Sequence, residues 1–236
     1  MIMPKREKVR QMFDDIATDY DALNHIMSLN VDRSWRRRAL KEIIIPDRSQ
    51  KIMDLACGTG DFSIAIAGAM SQDSHVTGVD ISEGMLAVMK RKVEDAGLTD
   101  RIDITVGSGE ELPFPENTFD AVTIAFGIRN FEDREQGLRE ILRVLKPDGR
   151  IIILELSEPS NPVIRWVYNL YFTRIMPVIG RKVSGNSAAY HYLPASVISF
   201  PKKQEWMQTM TNCGFGEVRH KAFSLGICRM YTGRKL

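Results

Sequence analysis

The chain has little cysteine. Its three residues, Cys57, Cys213 and Cys228, show no paired spacing, which argues against a disulfide framework and for reduced thiols. It also lacks any run approaching the roughly 18 apolar residues of a spanning helix. Its start, Met1-Ile2-Met3-Pro4-Lys5-Arg6-Glu7-Lys8, has no apolar signal-peptide core, so a cytoplasmic protein is expected. The four histidines, His25, His75, His191 and His220, share no metal-ligand spacing with each other or with the cysteines, and no metal site is expected. Internal repeats, low-complexity tracts and arginine-rich or aromatic-interleaved stretches are missing too. Nucleic acid is therefore not an expected partner.

What is present fits an α/β core. The 236 residues, 44% of them hydrophobic, read as a single domain over 1–236. Val9, Met12, Phe13, Ile16, Ala17 and Tyr20 recur at intervals of three and four, which predicts an amphipathic helix over about 5–21. Strands are predicted at Lys51–Leu55, His75–Asp80, Ile102–Val106, Phe119–Phe126 and Arg150–Leu156. Helices separate them at Phe62–Met70, between the N-cap Ser82 and the stop Gly97, and at about 133–145. Pro147-Asp148-Gly149 predicts a turn. Strands alternating with helices imply parallel pairing through right-handed crossovers, hence a doubly wound sheet. The last third predicts a helical insert at about 161–180, a helix at 202–213, and two strands near 215–222 and 226–233. Those strands suit an antiparallel C-terminal edge.

Charge is unevenly divided. Residues 161–236 hold 11 Lys and Arg against 2 Asp and Glu, a balance of +9, which leaves −7 for residues 1–160 out of a total of +2. The basic end is either solvated surface or a face for anionic lipid or phosphate.

The chemistry begins at Asp54-Leu55-Ala56-Cys57-Gly58-Thr59-Gly60-Asp61, where a strand ends and a helix starts. Glycines there let the chain turn sharply and let a ligand approach main-chain N–H groups. The loop has no Gly-Lys-Ser/Thr ending, and Asp61-Phe62-Ser63 after Gly60 do not complete a dinucleotide fingerprint. Asp80 ends the next strand about 20 residues on, where a carboxylate can accept both ribose hydroxyls of an adenine nucleoside. Loop and acid together predict a nucleoside site.

These residues resemble the first motif of the class I S-adenosylmethionine-dependent methyltransferases, with Ala56 in place of that motif's first glycine. The resemblance implies that Asp54 lies near the methionine amino group, that Gly58, Thr59 and Gly60 line methionine and ribose, and that Asp80 holds the ribose. Ser108 and Gly109 would flank the adenine, and Ala125, at the end of its strand, would border the cofactor. Asp54 has an alternative reading as a carboxylate that braces the loop.

A closer resemblance, to the ubiquinone/menaquinone biosynthesis C-methyltransferase family, covers most of the chain. It is carried by Tyr20-Asp21-Ala22-Leu23-Asn24 leading through Ser28 to Arg33 and Trp35, and by Leu112-Pro113-Phe114-Pro115. Phe126-Gly127-Ile128-Arg129-Asn130, Arg143–Gly149 with Glu155-Leu156-Ser157, and Tyr190-His191-Tyr192-Leu193 through Ser196 to Phe200-Pro201 extend it. Asp32 stands where that family has histidine. The family implies methyl transfer from S-adenosylmethionine to a ring carbon of a prenylated quinol, demethylmenaquinol or its ubiquinone-pathway counterpart. It also implies an N-terminal helical lid over 1–48 and a helical substrate-side insert over 161–200.

Such a reaction needs a cation or donor to stabilise a developing phenolate. Arg129 follows a strand end that faces the crevice and is the first candidate; its alternative is a structural ion pair. Asn130 would orient the ring oxygen. His191, between Tyr190 and Tyr192, is either a proton acceptor in an aromatic wall or a solvated side chain. Tyr20 and Asn24 of the lid, with Tyr190 and Tyr192, would touch substrate. Val163, Ile164, Val167, Leu170, Tyr171 and Ile175 form an apolar helical face, either a core helix or a surface receiving a prenyl chain. The expected partners are the prenylated quinol and, peripherally, the inner face of the membrane; a homodimer is compatible. Two other functions fit the same residues: transfer to another small phenolic or lipid-like acceptor, and non-catalytic S-adenosylmethionine binding.

Overall fold

The computed structural model describes residues 5–18, 20, 21, 28, 30–171, 174 and 187–236, the side chains of 187–191 excepted. Two helices lead, α1 (Lys5–Ile16) and α2 (Val31–Ile43), followed by β1 (Lys51–Leu55), α3 (Asp61–Ala69), β2 (His75–Asp80), α4 (Glu83–Asp95), β3 (Ile102–Val106) and β4 (Phe119–Ala125). Then come α5 (Arg134–Val144), β5 (Leu145–Leu156), α6 (Pro162–Leu170), α7 (Ser187–Ile198), α8 (Lys203–Asn212), β6 (Phe215–Phe223) and β7 (Cys228–Lys235).

The strands form one sheet in the order β3-β2-β1-β4-β5-β7-β6. The first five are parallel, while β7 runs antiparallel to both β5 and β6. Chain order reverses between β1 and β4. In open α/β sheets such a switch point opens a crevice at the carboxyl ends of the strands.

Successive residues of the central strands point to opposite faces and nearly all are buried, so helices cover both faces. Ile52, Ala121, Ile152 and Leu154 pack with Ala39 and Ile43 of α2, Ile66 of α3 and Met89 of α4. The alternate residues Met53, Leu55, Val122, Ile124, Ile151 and Ile153 pack with Leu138 and Ile141 of α5 and Trp206 of α8. The predicted start of α4 holds, with Ser82 Oγ accepting from Met85 N at 3.1 Å.

Two boundaries differ from expectation. Strand β5 begins at Leu145, not Arg150: Leu145 pairs with Phe119 and Arg150 with Ala121, so the Pro147-Asp148-Gly149 turn is carried as a bulge, with Asp148 at φ 65°. Leu145 and Phe119 are both buried, so the pairing resumes before the turn because both side chains belong to the core. The leading helix stops at Ile16, although Tyr20 and Asp21 are again helical. Of the insert, α6 is described as far as Leu170, and most of 172–186 lies outside the described residues.

Candidate active site

The loop between β1 and α3 sits at the switch point. Ala56, Gly58 and Gly60 all take left-handed φ, at 55°, 56° and 83°. Gly60 is required on two counts, because a Cβ there would also lie 2.4 Å from Met89 Cγ of α4. The turn is tied to β2: Cys57 N donates to Val79 O at 3.1 Å, and Gly58 N to Asp80 Oδ2 at 2.9 Å. The other Asp80 oxygen accepts from Ser82 N at 2.9 Å. Burial pushes the Asp80 carboxyl above its ordinary range, and these N–H donors oppose that shift.

Gly58, Asp80, Gly107, Ser108, Gly109 and Ala125 border one cleft of about 690 Å³, mouth included, together with Asn130 and Phe131. Phe131 went unpredicted. A Cβ on Gly109 would fall 2.4 Å from Phe131 Cζ, so the small residue at 109 leaves room for that ring. Ser108 Oγ accepts from Glu110 N at 3.2 Å, which fixes the loop after β3. Asp54 and Thr59 line a smaller adjoining cleft with Gly58 and Ala125. Asp54 is buried, accepting from Ser63 Oγ at 2.6 Å and from Thr123 Oγ1 at 2.9 Å, and desolvation pushes its pKa up to about 6. It thus braces β1 against β4 and α3. The Thr59 hydroxyl donates to Asp21 Oδ1 of the leading segment.

A second, larger cleft of about 1220 Å³ adjoins the first. Its walls are mostly apolar, with Trp35, Leu156, Ile164, Tyr168, Leu193 and Ile227 among them, and Arg129 is set into one side. Tyr20 and Phe126 border both clefts. Phe126 holds a left-handed φ of 63°, rare for a bulky residue, and its ring lies 6.0 Å from that of Trp35. Such strain concentrates at functional sites.

Arg129 is 7% exposed and makes the structural ion pair weighed above: Nη1 lies 2.7 Å from Oε1 of the fully buried Glu155. Nη1 also donates to the Phe126 carbonyl, and Nε to Ser196 Oγ of α7 at 3.2 Å. The backbone N of Arg129 reaches Glu155 Oε2 at 3.2 Å. Nη2 has no hydrogen-bond partner among the described residues. The neighbouring Asn130 turns toward the first cleft and accepts from Tyr192 OH at 3.1 Å. Burial raises the Tyr192 phenol pKa, with Arg129 opposing. Asn24 and the side chains of Tyr190 and His191 lie outside the described residues.

The leading segment is clasped over the glycine loop by carboxylates absent from the expected site. Asp14 accepts from Ser82 Oγ at 2.6 Å and from Gly84 N at 3.0 Å, at the N-terminus of α4. Asp21 lies 2.8 Å from Lys92 Nζ, which also contacts Asp61. Tyr20 packs beside Gly58. Asp32, buried, pairs with Arg36 at 2.9 Å on the rim of the apolar cleft. No group of His, Cys, Asp and Glu able to hold a metal occurs among the described residues.

The fold and this loop define a class I methyltransferase-type α/β protein. Among solved structures it is similar to a [4+2]-cyclase, SpnF (TM-score 0.74, 17% identity, 100% of this chain and 97% of that one). A Thermotoga maritima S-adenosylmethionine-dependent methyltransferase, described as a possible histamine N-methyltransferase, is also similar (TM-score 0.66, 18% identity, 96% and 99% covered). At that identity the likeness concerns the fold alone. The sequence matches the ubiE/COQ5 methyltransferase family over residues 1–235. A Geobacter sulfurreducens ubiquinone/menaquinone biosynthesis C-methyltransferase UbiE is 46% identical over 231 residues, covering 98% of this chain and 90% of the relative. A Bacteroides fragilis demethylmenaquinone methyltransferase is 43% identical over 231 residues, covering 98% and 94%. The chain belongs to the ubiE/COQ5 methyltransferase family. S-Adenosylmethionine is the cofactor of such enzymes, and the residues fit it: a half-buried carboxylate at Asp80, a loop of small residues, and the Phe131 ring share one cleft.

Proposed function

We propose that this enzyme transfers a methyl group to a ring carbon of a prenylated quinol, with demethylmenaquinol the first substrate to test. One observation carries the reading: a cleft bordered by the Asp80 carboxylate and the glycine loop meets a larger apolar cleft holding a buried guanidinium, and Tyr20 and Phe126 stand at the junction. When bound, S-adenosylmethionine supplies an electrophilic methyl on a sulfonium, so neither a metal nor a covalent enzyme intermediate is needed.

The residues divide the work. Asp80 accepts from the ribose, the Gly58-Thr59-Gly60 backbone follows the methionine end beside Asp54, and Ser108, Gly109 and Ala125 border the adenine. Arg129 Nη2 donates to the ring oxygen and stabilises the phenolate as its proton leaves. A guanidinium stays protonated, so the hydroxyl proton passes to water or to His191. Held by Asp80 and the Gly58-Thr59-Gly60 backbone, S-adenosylmethionine would supply the methyl to the ring carbon and leave as S-adenosylhomocysteine, and the proton displaced from that carbon would pass to water. Asn130, held by Tyr192, fixes the turn that carries Arg129. Tyr20, Asn24, Tyr190 and Tyr192 enclose the acceptor and exclude water.

The reading includes peripheral contact with the inner face of the membrane, where a prenylated quinol resides, and allows a homodimer. The test is mass spectrometry of quinones from a host lacking its own enzyme, with and without this chain. A gain of one methyl on one quinone class supports the proposal and names the ring. An unchanged profile with the protein expressed and binding S-adenosylmethionine overturns it.

A further inference from the structure

Scattered exposed apolar side chains are ordinary, but a contiguous stripe calls for a partner. Helix α6 carries one. Val163, Trp166, Val167 and Leu170 are 70%, 67%, 54% and 41% exposed, and their spacing of three, four and seven sets them on one outward face. The opposite face supplies Ile164 and the buried Tyr168 to the apolar cleft, and Val167 borders its mouth. The helix is firmly started, with Pro162 in its first turn and Asn161 Oδ1 accepting from Val163 N at 2.9 Å.

A second feature lies beside it. Ser224 and Leu225 are consecutive non-glycine residues in the left-handed region, at φ 46° and 58°, and Leu225 is 75% exposed. Two such residues in succession are strained. They hold an exposed leucine next to the start of α6, since a Cβ on the adjacent Gly226 would lie 3.7 Å from Pro159 Cα. Ser224 is anchored to the cleft wall, its Oγ accepting from Trp35 Nε1 at 3.0 Å.

Charge selects the partner. Residues 160–204 contain six Lys and Arg and no Asp or Glu. The nearest preceding acid, Glu158, is already 3.7 Å from Arg165. A two-fold contact between copies would set two such acid-free segments against each other. An anionic bilayer matches both the charge and the exposed tryptophan of an interfacial helix.

We propose that the α6 stripe with Leu225 is a membrane-docking surface, which seats the mouth of the apolar cleft on an anionic leaflet so that a prenyl tail enters from the bilayer. This rests on the prenylated-quinol reading for its purpose, but its test is separable. Trp35 and Trp206 are 5% and 0% exposed, so Trp166 reports the surface. Vesicles of phosphatidylcholine with phosphatidylglycerol should shift its emission to the blue and pellet the protein, while phosphatidylcholine alone or high salt should abolish binding. The double variant Trp166→Glu, Leu170→Glu should lose at least about tenfold in vesicle binding. It should also slow on a long-tailed quinol in vesicles and keep wild-type turnover on a water-soluble short-tailed quinol. Trp166→Phe should retain binding and lose the emission shift. Vesicle binding unchanged in the double variant overturns the surface, as does concentration-dependent dimerisation that the variant removes without any lipid binding. Vesicle binding intact with no quinol methylated would instead sink the substrate reading and leave the docking surface standing.

Discussion

Arg129 and Asp54 each border a cleft and are each tied into the core, Arg129 to Glu155 and Asp54 to Ser63 and Thr123. Glu155 is fully buried, and among the described residues its ion-pair partner is the Arg129 guanidinium; removing the arginine outright leaves an unpaired buried carboxylate, which costs about 3–5 kcal/mol. Arg129→Lys and Glu155→Gln separate the roles better. Lysine keeps the charge but lacks the fork that reaches Glu155 and Ser196 together and leaves Nη2 for the proposed contact with the ring oxygen. Both variants are expected to lower kcat by about 100-fold, with S-adenosylmethionine affinity within about threefold of wild type, by steady-state kinetics and calorimetry. Equal loss of cofactor affinity would move Arg129 out of the acceptor cleft.

Asp54 gives a pH prediction. Its carboxyl titrates near 3.8 when solvated and is pushed up to about 6 by burial. An acid with the higher pKa when folded takes up protons on folding between those values, so stability falls as pH rises from about 4 to about 6, and the cost persists above. Comparing denaturant midpoints of wild type and Asp54→Asn isolates this group. The difference should change by on the order of 3 kcal/mol between about pH 3.5 and pH 6.5, in favour of the variant at the higher pH. A pH-independent difference would mean that Asp54 titrates normally.

Among the elements, the contact of α1 with α4 fixes the leading helix. Asp14 replaces two solvent contacts at the α4 N-terminus, accepting from Gly84 N and Ser82 Oγ. Asp14→Ala is expected to cost roughly 1–2 kcal/mol, as loss of a helix cap does, and to raise the KM for S-adenosylmethionine several-fold. Limited proteolysis should then cut near the leading helix first, and wild-type proteolysis kinetics would count against the clasp. This contact was illegible in the sequence because it joins residues 68 positions apart through a single carboxylate. The alternation of strands and helices was legible because β1, β4 and the second half of β5 are short, nearly continuous apolar runs, and Ser82 and Gly97 punctuate α4 locally. The start of β5 was not, since Pro147-Asp148-Gly149 reads as a turn whether it ends a strand or bulges from one.

Across the whole molecule, the two clefts meet because five parallel strands end on the same side of the sheet, where α1 lines the first cleft and α2 and α6 line the second. The apolar cleft can therefore be filled without touching the nucleoside cleft. Ile164→Trp should raise the KM for a prenylated quinol by about tenfold or more, from the lost apolar contact and the overpacking, and leave S-adenosylmethionine binding unchanged. A uniform fall in both affinities would place the effect on folding.

The sequence by itself determined the doubly wound order of elements, the glycine loop and the acid 20 residues beyond it, because these follow from local spacing and conformational preference. It also led to the expectation that Arg129 and Asn130 share one crevice. Tertiary structure decided that these neighbours face different clefts, that Arg129 is tied to Glu155, and that Asp54 is spent on Ser63 and Thr123. It also decided which face of α6 looks outward. Those outcomes depend on which side chains packing brings within about 3 Å of each other, and no periodicity along a chain carries that distance.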